Sequence, residues 1–138
     1  MVNWMSFRSI ITMSILRELH TKPVDFVLAY TQANVKSDVF MELPIWFGFE
    51  GNHPREWVII LDINLYIIKY SGMAWFEKLK EGLEDRGSVQ SQVDPCVRYK
   101  DEMVLIFDVH DFLMFSPFKD KIDDVYASIQ EYFKIEND

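Results

Sequence analysis

Cysteine is nearly absent: Cys96 is the only one in 138 residues. One thiol cannot form an intrachain disulfide or build a thiolate zinc cluster. It suits a reducing, intracellular setting, cytoplasmic or nuclear. Positive charge is also scarce: 14 Lys+Arg stand against 22 Asp+Glu, for a formal net charge of −8. That argues against a protein that grips nucleic acid of any sequence through clustered basic residues. An enzyme whose centre is itself acidic stays open. Long hydrophobic runs are missing too. The most apolar window, "WVIILDINLYII" (residues 57–68), is interrupted by Asp62 and Asn64 and is too short to span a bilayer. The opening "MVNWMSFRSII" has Arg8 inside its apolar run and no small-residue cleavage site, so it does not read as a signal peptide. No membrane partner is expected, and no repeats, linkers or low-complexity runs are visible.

What is present suffices for one packed domain: 49% of the residues are hydrophobic and 15% aromatic. Ile11, Ile15 and Leu19, with Leu16, recur at helical spacing; Ser6 or Ser9 is the expected cap and Pro23 the expected stop. "VDFVLAY" (24–30) reads as a strand running into a turn, and "DVFMELP" (38–44) as a short alternating strand. "IWFGFEGNHPRE" reads as a loop, followed by strands near residues 57–61 and 65–68. A helix then opens at Ser71, lines Trp75, Leu79 and Leu83 on one face, and stops at Gly87. Two hairpins follow, turning at residues 100–102 and at His110 and Asp111. Ser116-Pro117 opens a last helix with the stripe Ile122, Val125, Ile129 and Phe133. The order predicts an α+β domain, with helices packed on one face of an antiparallel sheet.

Chemistry concentrates in two places. Asp25 stands at a strand end, and Asp108, His110 and Asp111 stand at the hairpin tip of "VLIFDVHDFLMFS" (104–116). If those strands are neighbours, the carboxylates converge. Converging carboxylates on rigid strands suit Mg²⁺, which prefers oxygen ligands, and a two-ion site can clamp a phosphoryl transfer. Plainer readings stand beside this one. Asp25 also reads as a turn acid, Tyr30 as a packing aromatic, and His110 as a solvated turn residue. Cys96 and Trp75 read as core, the acids of "KDKIDDVY" as a solvated helix face, and His20 and His53 show no paired spacing.

Several ordered blocks sharpen the picture. "VDFVLAYTQANVKSDVFMELP" resembles the first catalytic block of copia-type retrotransposon reverse transcriptases, an aspartate with an Ala-aromatic pair four and five residues on. "LYIIKYSGMAWFEKL" resembles that family's Leu-Tyr-Gly-Leu-Lys-Gln-Ala block, and "SQVDPCVRYKDEMVLIFDVHDFLMFS" the strand pair carrying its Tyr-Val-Asp-Asp box. "IDDVYASIQEYFKIEND" resembles the helix that follows, so the likeness covers nearly the whole chain.

The resemblance implies a palm-like fold with part of the fingers, and two-metal, RNA-directed DNA polymerisation as the ancestral activity. It implies Mg²⁺ as cofactor, and RNA/DNA template-primer and dNTP as partners. Its catalytic positions fall on Asp25, Asp111 and His110. Its metal ligands fall on Asp25 and Asp111, and Tyr30 falls on the aromatic that blocks the 2′-hydroxyl of an incoming ribonucleotide.

The departures matter as much. The box reads Asp108-Val109-His110-Asp111, so its first aspartate is His110 and its tyrosine is Asp108. Ile67 and Tyr70 replace the glycine and glutamine of the second block, Trp46 a loop glycine, and Ser88 an aromatic. A neutral imidazole offers one nitrogen, carries no negative charge, and suits Mg²⁺ poorly. Asp108, alternating with Val109, is an alternative ligand on the side of His110. The expectation is a partial domain over residues 1–138, without thumb or RNase H region, holding Mg²⁺ weakly or not at all and impaired in catalysis. The alternative is a non-catalytic interaction module derived from the palm, binding an intact polymerase or capsid-related partner through its uncovered sheet face; self-association through an exposed sheet edge is expected besides.

Overall fold

The computed structural model describes residues 2–47, 57–66, 68–109 and 111–136. His53, Ile67 and His110 therefore lie outside the described residues. Helix α1 (Trp4–Leu16) is capped by Asn3, whose side chain accepts the Met5 N–H at 2.9 Å, rather than by Ser6 or Ser9. The chain turns through Glu18, at φ +50°, into strand β1 (His20–Asp25). Pro23, the expected helix stop, lies inside β1. The position tolerates it because β1 is the edge of a five-stranded sheet of order β1-β7-β6-β5-β4.

The remaining elements follow the sequence closely in some places and depart from it in others. A 3₁₀ turn (Ala29–Gln32) follows β1, and β2 (Phe40–Glu42) and β3 (Val58–Ile60) pair as a separate two-stranded sheet. The strand expected at residues 65–68 is not one. Its described part forms a turn in which the Ile68 N–H donates to the Leu65 carbonyl at 3.1 Å. Helix α2 (Ser71–Asp85) begins at Ser71, but the Ser71 hydroxyl donates back to the Leu65 carbonyl at 2.5 Å instead of capping the helix. Gly87, at φ +80°, ends this helix, a conformation that suits a residue without Cβ. Strands β4 (Val89–Gln90), β5 (Val97–Lys100), β6 (Met103–Phe107) and β7 (Asp111–Ser116) are antiparallel neighbours, and α3 (Lys119–Tyr132) completes the order.

The expectation of helices packed on one face holds for two of the three described helices. Helices α2 and α3 share one face, burying Trp75, Leu79, Leu83, Ile122 and Ile129 against Leu105, Phe107, Phe112 and Met114. Helix α1 covers the opposite face, where Phe7, Ile10 and Ile11 pack on Ile106, Leu113 and Phe115. The cause is in β6 and β7. Both are apolar on both sides, and such strands need cover on both sides. Beyond β1, the open edge is also narrower than expected. The Val27 N–H donates to the Lys134 carbonyl at 3.0 Å and the Glu136 N–H to the Asp25 carbonyl at 2.9 Å.

Ser88 has a structural role. Its hydroxyl donates to the Leu83 carbonyl at 2.7 Å and accepts from Nε of the buried Arg98 at 2.8 Å. Arg98 also pairs with Glu84 at 3.0 Å, tying β5 to the end of α2. Among the described residues no helix is long and apolar enough to cross a membrane.

Candidate functional site

Asp25 is the last residue of β1 and Asp111 the first of β7, and the two are direct partners in the antiparallel register. Val24 and Phe26 face α2 and α3, as does Phe112. Side chains alternate along a strand, so Asp25 and Asp111 both project to the face that carries α1. Directly opposed residues hold their Cβ atoms about 4.5–5.5 Å apart. The pair borders two adjoining clefts. One, of about 270 Å³, is lined by Trp4, Phe7, Asp108 and Asp111. The other, of about 410 Å³, is lined by Phe7, Asp25, Asp111, Tyr126 and Glu136. Glu136 escaped the sequence reading. Only the chain's return along β1 brings it there.

The turn before Asp111 is well defined at its described residues. The Asp108 N–H donates to the Asp111 carbonyl at 2.8 Å, and the Trp75 indole N–H donates to the Val109 carbonyl at 2.8 Å. Tyr30 stands on the 3₁₀ turn with its ring tilted against Tyr66, centroids 4.6 Å apart. Burial pushes the Tyr30 hydroxyl above the ordinary phenol value, and Tyr66 and the charge of Asp108 add to the rise. Tyr30, Asp108, Asp111 and Asp25 thus form a chain of neighbours at one end of the sheet.

Two further groups flank the site. Burial raises the Cys96 thiol, and Asp94 and Asp108 add to that, so it remains an inert core thiol. Asp94 is buried as well, and burial alone would raise its carboxyl. The Cys96 and Asn3 N–H groups, each at 2.9 Å, and the Ser6 hydroxyl outweigh this and hold it below the ordinary 3.8. Asp94 thereby anchors the start of α1 beside the cleft, a role that the sequence spacing did not reveal.

Among the described residues the Asp25 and Asp111 carboxylates have no hydrogen-bond or ion-pair partner. Like charges directly opposed across a ladder are destabilising. Asp25→Asn should therefore raise the stability of the chain by about 0.2–1 kcal/mol in low salt without divalent ions. Urea unfolding checks this, and a loss of stability would show that the carboxylate makes a contact of its own.

As a metal site the set is thin. Two oxygen-bearing side chains face each other, but no group of three or more His, Cys, Asp or Glu capable of holding an ion occurs among the described residues. No solved structure matches the chain significantly. The family model for reverse transcriptase (RNA-dependent DNA polymerase) matches residues 1–137, nearly the full length. The chain belongs to the reverse transcriptase (RNA-dependent DNA polymerase) family.

Proposed function

We propose that the chain is a fingers-and-palm piece of a copia-type retrotransposon reverse transcriptase whose catalytic box has lost one carboxylate and which does not polymerise. The observation that carries this is the Asp25–Asp111 pairing, residue against residue, on adjacent strands. In this reading the pairing brings together the two catalytic positions that hold aspartate. The third position is His110. Members of this family use divalent ions to neutralise charge on the transferring phosphate, and carboxylates hold those ions. Replacing one carboxylate by imidazole removes a negative charge and an oxygen donor where both are needed. Template-primer and dNTP are the partners that the family implies. In this reading Tyr30 stands beside the sugar of the incoming nucleotide.

Primer extension on an RNA template with Mg²⁺ tests the proposal. The expected result is no product above an enzyme-free control. Template-dependent extension by the unaltered chain would show that the remaining residues suffice.

A second reading, a non-catalytic interaction module, draws on exposed apolar side chains. Trp4, Met5, Ile15 and Leu16 point outward on α1, and Ile45 and Trp46 are exposed beyond β2. Apolar surface of this kind marks contact sites. Self-association is its expected signature, read as dimers or larger species by light scattering at high concentration. A sharp monomer would leave this reading without its main support.

A further inference from the structure

One side chain touches residues next to both carboxylates: Phe26, just after β1, and Val109, just before β7. Trp75 is buried on α2, and its N–H is spent on the Val109 carbonyl in the turn that leads into Asp111. Its ring meets Phe26 edge-on, centroids 5.0 Å apart and planes at 70°. Phe26 directly follows Asp25, and it also meets Phe112, the residue after Asp111, at 5.9 Å. A buried indole needs an acceptor, and any core carbonyl would serve that need. The acceptor here lies in the one turn whose conformation aims Asp111. A side chain at the first residue of a strand is only as well placed as the turn before it.

We propose that Trp75 is a positioning residue: its N–H holds the Val109 carbonyl ahead of Asp111 and its ring seats Phe26, so that Asp25 and Asp111 keep a fixed spacing. The proposal rests on reading those two aspartates as the family's metal-binding pair, and adds the residue that sets their geometry.

Trp75→Phe keeps an aromatic ring and deletes the donor. Hydrogen exchange should then quicken at the Asp108 amide, which closes the turn, by about 10-fold more than at the amides of β6. In a chain carrying His110→Asp, the same substitution should weaken Mn²⁺ binding by about 10-fold, the low end of the effect of an outer-shell partner. Equal exchange changes in the turn and in β6 would overturn the proposal, since the indole would then be ordinary core. Selective exchange with unchanged Mn²⁺ affinity would overturn it too, because the turn would not set the site. If the His110→Asp chain binds no Mn²⁺ at all, the metal-pair reading itself fails, and the exchange result alone decides whether Trp75 holds the turn. Should Trp75→Phe fail to fold, Phe26→Leu tests the ring contact by the same two measurements.

Discussion

Leu79→Ala should lower the unfolding free energy by about 2–5 kcal/mol, the range for a buried leucine whose cavity cannot fully collapse. Leu79 is 1% exposed in the middle of α2, one turn from Trp75 and one turn from Leu83, both equally buried. These three residues face the same cluster as Phe107 and Met114 of the sheet. The neighbours are large and rigid, so little can move in to fill the gap. Leu16→Ala on α1 is the control. Leu16 is 74% exposed, and its loss should cost less than about 0.5 kcal/mol. Urea unfolding of both variants reads the difference. A cost for Leu79→Ala as small as that for Leu16→Ala would mean that α2 does not pack on the sheet through this face.

Restoring the box should change metal binding far more than it changes the fold. In the chain as it stands, Asp25 and Asp111 oppose each other with no third carboxylate at position 110. His110→Asp puts a carboxylate next to Asp111, and Asp108→Tyr, which returns the rest of the family box, takes one away, so the net charge is unchanged and only the placement of the oxygen donors differs. Titration calorimetry should show at least about a 10-fold gain in Mg²⁺ and Mn²⁺ affinity, each tenfold corresponding to about 1.4 kcal/mol. Without metal the carboxylate now beside Asp111 should slightly destabilise the chain, by the same like-charge repulsion that acts between Asp25 and Asp111. With metal in excess the order should reverse, because an ion that binds only the folded state stabilises it. If the unaltered chain binds Mg²⁺ as tightly as the restored one, Asp108 is a working replacement ligand and the account of the damage fails.

Parts of this architecture were legible in the sequence because one physical signal dominated them. Trp75, Leu79 and Leu83 form a single apolar stripe on an otherwise charged helix, and the stripe of Ile122, Val125, Ile129 and Phe133 does the same on α3. The turn between β5 and β6 was marked by polar residues between two apolar runs, and Asp101 adopts φ +51° there. Helix α1 was harder to read. It is apolar nearly all round, so the spacing of Ile11 and Ile15 picked out a face that the fold leaves partly in water, Ile15 being 71% exposed. The side that packs carries Phe7, Ile10 and Ile11.

The pairing of Asp25 with Asp111 could be expected only through family likeness, since two acids far apart in sequence say nothing of their register. Residues 65–68 misled for another reason. Their apolar side chains suggest a strand, but the Ser71 hydroxyl donates to the Leu65 carbonyl, and the Ile68 N–H donates to that same carbonyl in a turn. The contact of Trp75 with Val109 left no trace in periodicity, because a core tryptophan and a positioning tryptophan occupy the same place on a helix.

The sheet order has a consequence for how the molecule assembles. Strand β1 comes early in the chain, yet among the described residues its one sheet partner is β7, the last strand in the order. No hairpin or short excised peptide can contain the Asp25–Asp111 pair. During synthesis, a nascent chain halted before residue 111 has its first aspartate strand without a neighbour, and the two halves meet only by closing a very long loop. High contact order of this kind slows folding and keeps apolar strand surface exposed on the way. The pair of aspartates forms only once that loop has closed.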